Sequence, residues 1–129
     1  MPADDIPEDV KGFMTEYIHS LFQLETLLLL YEKQEVDWSV EDTDRQLHMG
    51  SQLAGNLLAD LHARGLLSLR ETPDLLYRYS PSTVQLDQAV TALATAYKER
   101  RVSVISFLFS RPLDKVRSFA DAFRFRRDK

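Results

Sequence analysis

At 129 residues, 44% hydrophobic and 28% charged, the chain has the size and composition of one globular unit with a substantial core. It contains no cysteine, which excludes disulfides, cysteine nucleophiles and cysteine zinc sites and fits a reducing cytoplasm. The net charge of −4 is unevenly spread: residues 1–50 carry twelve acids against Lys11, Lys33 and Arg45, whereas residues 51–129 carry thirteen bases against eight acids. Only the second half therefore suits a polyanion, and the acidic total opposes tight non-specific binding to nucleic acid.

The acidic start, Met1-Pro2-Ala3-Asp4-Asp5, lacks the apolar segment of a signal peptide. The longest unbroken apolar run, Leu27 to Tyr31, is far too short to span a bilayer, so a cytoplasmic protein without membrane contact is expected. Pro7 suits a first helical position, and Val10, Phe13, Met14, Tyr17 and Ile18 then recur at helical spacing. Ser20 and Gln23 make a capping box that opens a second helix, Leu21 to about Lys33. Phe22, Leu29 and Leu30 widen the apolar arc of that helix, which predicts burial on most sides. Val36 and Trp38 are placed as a short strand, with Trp38 packing into the core.

From Trp38 to Pro81 the order is helix, turn, helix, hairpin. Ser39 with Asp42 three residues on caps a short helix ending near Leu47, and Gly50 supplies the turn. Ser51 to Arg64 then puts Leu53, Ala54, Leu57, Leu58 and Leu61 on one face. Gly65 suits the left-handed residue that ends a helix. Leu66 to Arg70 and Leu75 to Tyr79 are β-capable runs parted by Glu71-Thr72-Pro73-Asp74.

Over about forty residues this segment resembles the DNA-binding module of MarR-like and related bacterial winged-helix regulators. The resemblance is carried by Leu47-His48-Met49-Gly50-Ser51-Gln52, by Leu57-Leu58, and by Leu61-His62-Ala63-Arg64-Gly65-Leu66-Leu67, where a recognition helix steps into the wing through a base-Gly-Leu sequence. It implies a mainly α fold: a winged helix-turn-helix with an added N-terminal helix, a two-stranded wing and long C-terminal helices. It also implies a helix Ser51 to Arg64 that enters the major groove. Its outward arc displays Gln52, Gly55, Asn56, Ala59 and Ala63, with Ser51 and His62 at the edge. Gln52 and Asn56 can read adenine bidentately, Ser51 can hold a phosphate, and Gly55 permits close approach. Arg64, Arg70 and Arg78 are the expected backbone contacts. Two positions depart from the family pattern: Asn56 stands where an arginine is frequent, and Asp60 where a base is usual.

After the hairpin, Ser82 and Gln85 repeat the capping-box spacing, and no Gly or Pro interrupts Thr83 to Phe109. One helix of about 40 Å is expected, with Leu86, Val90, Leu93, Tyr97, Val104 and Phe107 along a seam whose one charged exception is Arg100. Val102 to Phe109 is also β-branched and aromatic, so a strand competes there; unbroken continuity with Lys98-Glu99-Arg100-Arg101 favours helix. Such a seam, on a helix longer than its domain, predicts a homodimer. Pro112 opens a last helix with a stripe of Leu113, Val116, Phe119, Ala120 and Phe123, ending in the basic-aromatic Arg124-Phe125-Arg126-Arg127. The chain thus divides into a winged unit with its N-terminal addition, 1–81, and a C-terminal helical extension for dimerisation, 82–129.

No constellation for catalysis is present. His19, His48 and His62 are scattered, no metal-ligand spacing occurs, and the four glycines form no phosphate-binding loop, so neither an enzyme nor a cofactor is expected. Three readings remain: a regulator binding double-stranded DNA, a protein-interaction module on a winged fold that has lost its groove chemistry, and a small-molecule sensor. The last lacks a polar cluster to mark a pocket.

Overall fold

The structure is a computed structural model that describes residues 6–71 and 73–110. Its elements follow the local signals closely at first. Helix α1, Glu8–Tyr17, starts behind Pro7 and buries Val10, Phe13 and Met14. Helix α2, Leu21–Glu32, is capped by the Ser20 hydroxyl, which accepts from the Gln23 amide at 3.0 Å. Gln23 returns the contact one residue early, its side-chain oxygen accepting from the His19 amide at 2.7 Å. Leu24, Leu27 and Leu30 are fully enclosed, so α2 is the central helix around which the others pack.

Helix α3, Val40–Leu47, begins on Ser39, whose hydroxyl accepts from the Asp42 amide. It ends one step earlier than the glycine suggests. His48 takes the left-handed conformation at φ 56°, which an ordinary side chain rarely adopts, and the Asp44 carboxylate accepts from the Gly50 amide at 2.7 Å. Helix α4, Ser51–Ala63, follows and buries Ala54, Leu58 and Leu61. Strands β1, Leu67–Arg70, and β2, Leu76–Tyr79, pair antiparallel with Leu67 opposite Tyr79 and Arg70 opposite Leu76. Leu67, Tyr77 and Tyr79 face the core, whereas Ser68, Arg70 and Arg78 face solvent, as a period of two requires. The third strand expected at Val36 and Trp38 shrinks to one bridge, Trp38 with Tyr77, closed by main-chain bonds of 2.7 and 2.8 Å.

Two expectations for the C-terminal part are corrected. The cap of helix α5, Val84–Glu99, is Thr83, which accepts from the Leu86 amide at 3.0 Å; it is not Ser82. Ser82 is committed elsewhere, its amide donating to the Gly65 carbonyl at 2.8 Å and so fastening the end of the wing to the end of α4. The expected rod from Thr83 to Phe109 is also broken. Arg100, at φ −135° and ψ 51°, ends α5 and begins helix α6, Arg101–Phe109, leaving segments of about 24 and 14 Å. Val102 to Phe109 is therefore helical, not a strand, and the break falls on the one charged residue in the apolar seam. Beyond the break, α6 buries Ser103, Val104 and Leu108.

The seam is consequently covered within one chain. Val90, Leu93 and Val104 lie in the core shared with α1, α2, α4 and the wing, and Leu86, Tyr97 and Phe107 sit half-buried against it. The Pro112 to Phe123 helix and the basic-aromatic end lie outside the described residues.

Candidate nucleic-acid interface

Helix α4 and the wing form the face to which sequence assigns DNA contact. Burying Leu58 and Leu61 leaves Ser51, Gln52, Asn56, Ala59, His62 and Ala63 exposed along the opposite side of α4. Gly50, at φ 93°, precedes the helix and offers no side-chain cap, unlike Ser20, Ser39 and Thr83 at the starts of α2, α3 and α5. The first-turn N–H groups beside Ser51 and Gln52 thus have no side-chain acceptor, the arrangement in which a phosphate oxygen is well received.

Gly55 is not part of this open arc. A side chain there would meet the Val40 methyls at 3.7 Å, so the residue faces α3 at an ordinary packing distance. Asp60 is likewise turned away from the groove side. Its Oδ2 accepts from Arg64 Nε at 2.8 Å and from Gln23 Nε2 at 2.6 Å, while Arg64 donates to the Glu16 carbonyl at 3.3 Å. The acid that departs from the family pattern is therefore a joint between α4, α2 and α1. Gln23 is 3% exposed, so its amide depends on this carboxylate.

The wing arginines are brought together on an acid that sequence reasoning did not single out. Asp37 Oδ2 accepts from Arg70 at 2.9 Å and Asp37 Oδ1 accepts from Arg78 Nε at 2.9 Å. Arg78 also donates to the Glu35 carbonyl at 2.7 Å. Every arginine expected to meet the DNA backbone, Arg64, Arg70 and Arg78, thus already has a carboxylate partner. No local signal marks Asp37 for this, since it is one of several acids between Glu32 and Asp44.

Behind the wing, the Tyr79 phenol donates to Asp87 at 2.8 Å and packs edge-on against Tyr31. Burial, followed by that bond, pushes its pKa up, so it stays a neutral donor that ties β2 to α5. A cavity of about 500 Å³ lies between α2 and α5, with Leu28, Leu47 and Tyr97 alongside Glu25, Glu32 and Arg101. The fold thus assembles there a polar cluster that the sequence scatters over more than seventy positions.

No protein-family model matches the sequence, and no curated protein matches it either. Solved structures do. A MepR variant of S. aureus bound to an oligodeoxyribonucleotide superposes with a TM-score of 0.55 over 94% of this chain and 88% of that one, at 16% identity. The fold is the MarR-like winged helix. Heme-free PefR (TM-score 0.53, 20% identity, 91% of this chain and 86% of that one) and the multiple antibiotic-resistance repressor MarR of Listeria monocytogenes (0.50, 20%, 94% and 83%) agree. In this MarR-like frame α3 and α4 are the two helices of the helix-turn-helix, and β1 and β2 are the wing. No helix among the described residues is long and apolar enough to cross a membrane.

Proposed function

We propose that this chain is a cytoplasmic, non-enzymatic transcriptional regulator that binds double-stranded DNA as a homodimer. Helix α4 enters the major groove, where Gln52 and Asn56 address base edges and Ser51 meets a phosphate. The wing, through Arg70 and Arg78, lies against the backbone. The observation that carries this reading is the exposed run of Ser51, Gln52 and Asn56 at the uncapped start of a recognition helix in a MarR-like fold. That a solved protein of this fold is bound to an oligodeoxyribonucleotide supports it. Gly55 faces α3 and takes no part in the contact, and Arg64 contributes indirectly by fixing the end of α4 through Asp60. No cofactor is needed.

The homodimer is proposed on grounds other than the original seam, since Val90, Leu93 and Val104 are enclosed in the protomer. Val102 and Phe109 of α6 are exposed apolar side chains on the last described element, directly before the apolar stripe of residues 113–123. A second copy is the commonest cover for such a surface.

Selection of bound sequences from a random duplex library tests both claims together. The expected product is an inverted repeat whose half-sites lie about 10 bp apart centre to centre, or a multiple of that. Gln52→Ala should weaken binding to it by about 1–3 kcal/mol and leave random DNA unaffected. A library that yields no enriched sequence would count against base reading, and a single asymmetric site against the two-fold pair. Pairing of all three expected arginines favours one alternative, a protein-interaction module whose smooth face of Ala59, His62 and Ala63 docks a protein helix.

A further inference from the structure

The two wing arginines converge on one carboxylate from a distant part of the chain. Asp37 lies 33 positions from Arg70 and 41 from Arg78, yet each of its oxygens holds one guanidinium at 2.9 Å. The placement is rigid because the next residue, Trp38, is buried and bonded through both main-chain groups to Tyr77 of β2. Arg70 and Arg78 stand on the same outer face of the hairpin, since Ser68 pairs with Arg78 and Arg70 with Leu76. Two guanidiniums gathered around two oxygens is the geometry of an oxyanion site, and here an internal carboxylate occupies it.

Resting on the DNA-binding reading above, we propose that Asp37 is a built-in competitor for the phosphodiester: it occupies the wing's two-arginine anion site and must be displaced before the wing can grip the backbone. The arginine side chains remain 59% and 45% exposed and Asp37 29%, so the pairs are wet, weakly held and open to exchange. Glu71 and Asp74 at the exposed wing turn add to the cost of approach. A wing held this way contributes little on arbitrary DNA. It engages where α4 has already gained contacts from bases, so the carboxylate raises discrimination by suppressing non-specific binding.

The test is titration of random-sequence duplex DNA with the full chain as wild type, Asp37→Asn and Asp74→Asn, across a range of salt. Asp74→Asn removes the same charge from the wing without releasing an arginine. Freeing two cations should steepen the slope of log affinity against log salt by about two, equivalent to an extra fall of about tenfold between roughly 50 and 200 mM. Asp37→Asn should accordingly bind random DNA about tenfold more tightly at low salt, Asp74→Asn should not reproduce the change in slope, and adding Arg70→Ala and Arg78→Ala to Asp37→Asn should abolish the gain. A wild type that binds, with Asp37→Asn equal to it or weaker, overturns the competitor and leaves the DNA reading standing. Absence of binding by wild type and Asp37→Asn alike overturns both. Far-UV circular dichroism checks that Asp37→Asn is folded, and Asp37→Ser carries the same comparison if it is not.

Discussion

Leu93→Asp is expected to unfold the protomer, not to separate two folded copies. Leu93 is 0% exposed on α5, with Val90 and Ala96 buried on the same side of the helix and Val104 and Leu108 of α6 in the same core. A carboxylate there would be enclosed in an apolar core, and it also forfeits the transfer energy of the leucine side chain. The combined loss should exceed about 4 kcal/mol, most of the stability of a domain whose total lies in the range of about 5–15 kcal/mol. Far-UV circular dichroism with urea denaturation reads the outcome. A variant that keeps its helical signal and its midpoint while halving in mass would place Leu93 on an interface between copies and contradict the enclosed core.

Trp38→Ala should be the next most damaging change. Trp38 is 7% exposed and stands where the segment between α2 and α3 crosses the wing, so its loss leaves a cavity at the junction that also positions Asp37. Large-to-small replacement of a buried aromatic costs about 3–5 kcal/mol. Trp38→Phe should cost far less. The indole Nε1 is buried without a hydrogen-bond acceptor among the described residues, so replacing it removes an unsatisfied donor and offsets part of the lost volume. Chemical denaturation of both variants should therefore give a steep loss for alanine and a shallow one for phenylalanine. Equal losses would mean that the indole nitrogen matters and that packing does not explain the residue.

Much of this fold was legible because local signals agree with one another. Ser20 and Ser39 cap the helices they were expected to cap, and Ala54, Leu58 and Leu61 of α4 are buried on the expected face, with Leu53 and Leu57 half-buried at its edge. The same helical period divided α4 into an enclosed side and an exposed arc, so Ser51, Gln52 and Asn56 were found correctly on the surface. The failures share a cause, which is that the deciding partner is remote. Ser82 and Thr83 both offer a hydroxyl three residues before an amide; Gly65, on the far side of the wing, claims Ser82 and leaves Thr83 to cap. No Gly or Pro marks the break at Arg100, beyond which α6 packs Val104 and Leu108 into the core formed by remote elements. An apolar stripe on α5 looks the same whether its own chain or a second copy covers it. Ion pairs are the least legible of all. Nothing near Arg70 or Arg78 indicates that Asp37 will hold both, and nothing near Asp60 indicates that Gln23 will need it.

The central claim is that this winged helix binds DNA, and its most direct test is fluorescence anisotropy of a labelled random duplex titrated with the wild-type chain at about 20 mM and about 150 mM salt. Measurable affinity at the lower salt, falling steeply at the higher, is the result expected of a protein that releases counterions from the phosphate backbone. No binding even at about 20 mM, where competition from counterions is weakest, by the wild type and by Asp37→Asn alike, would contradict the claim.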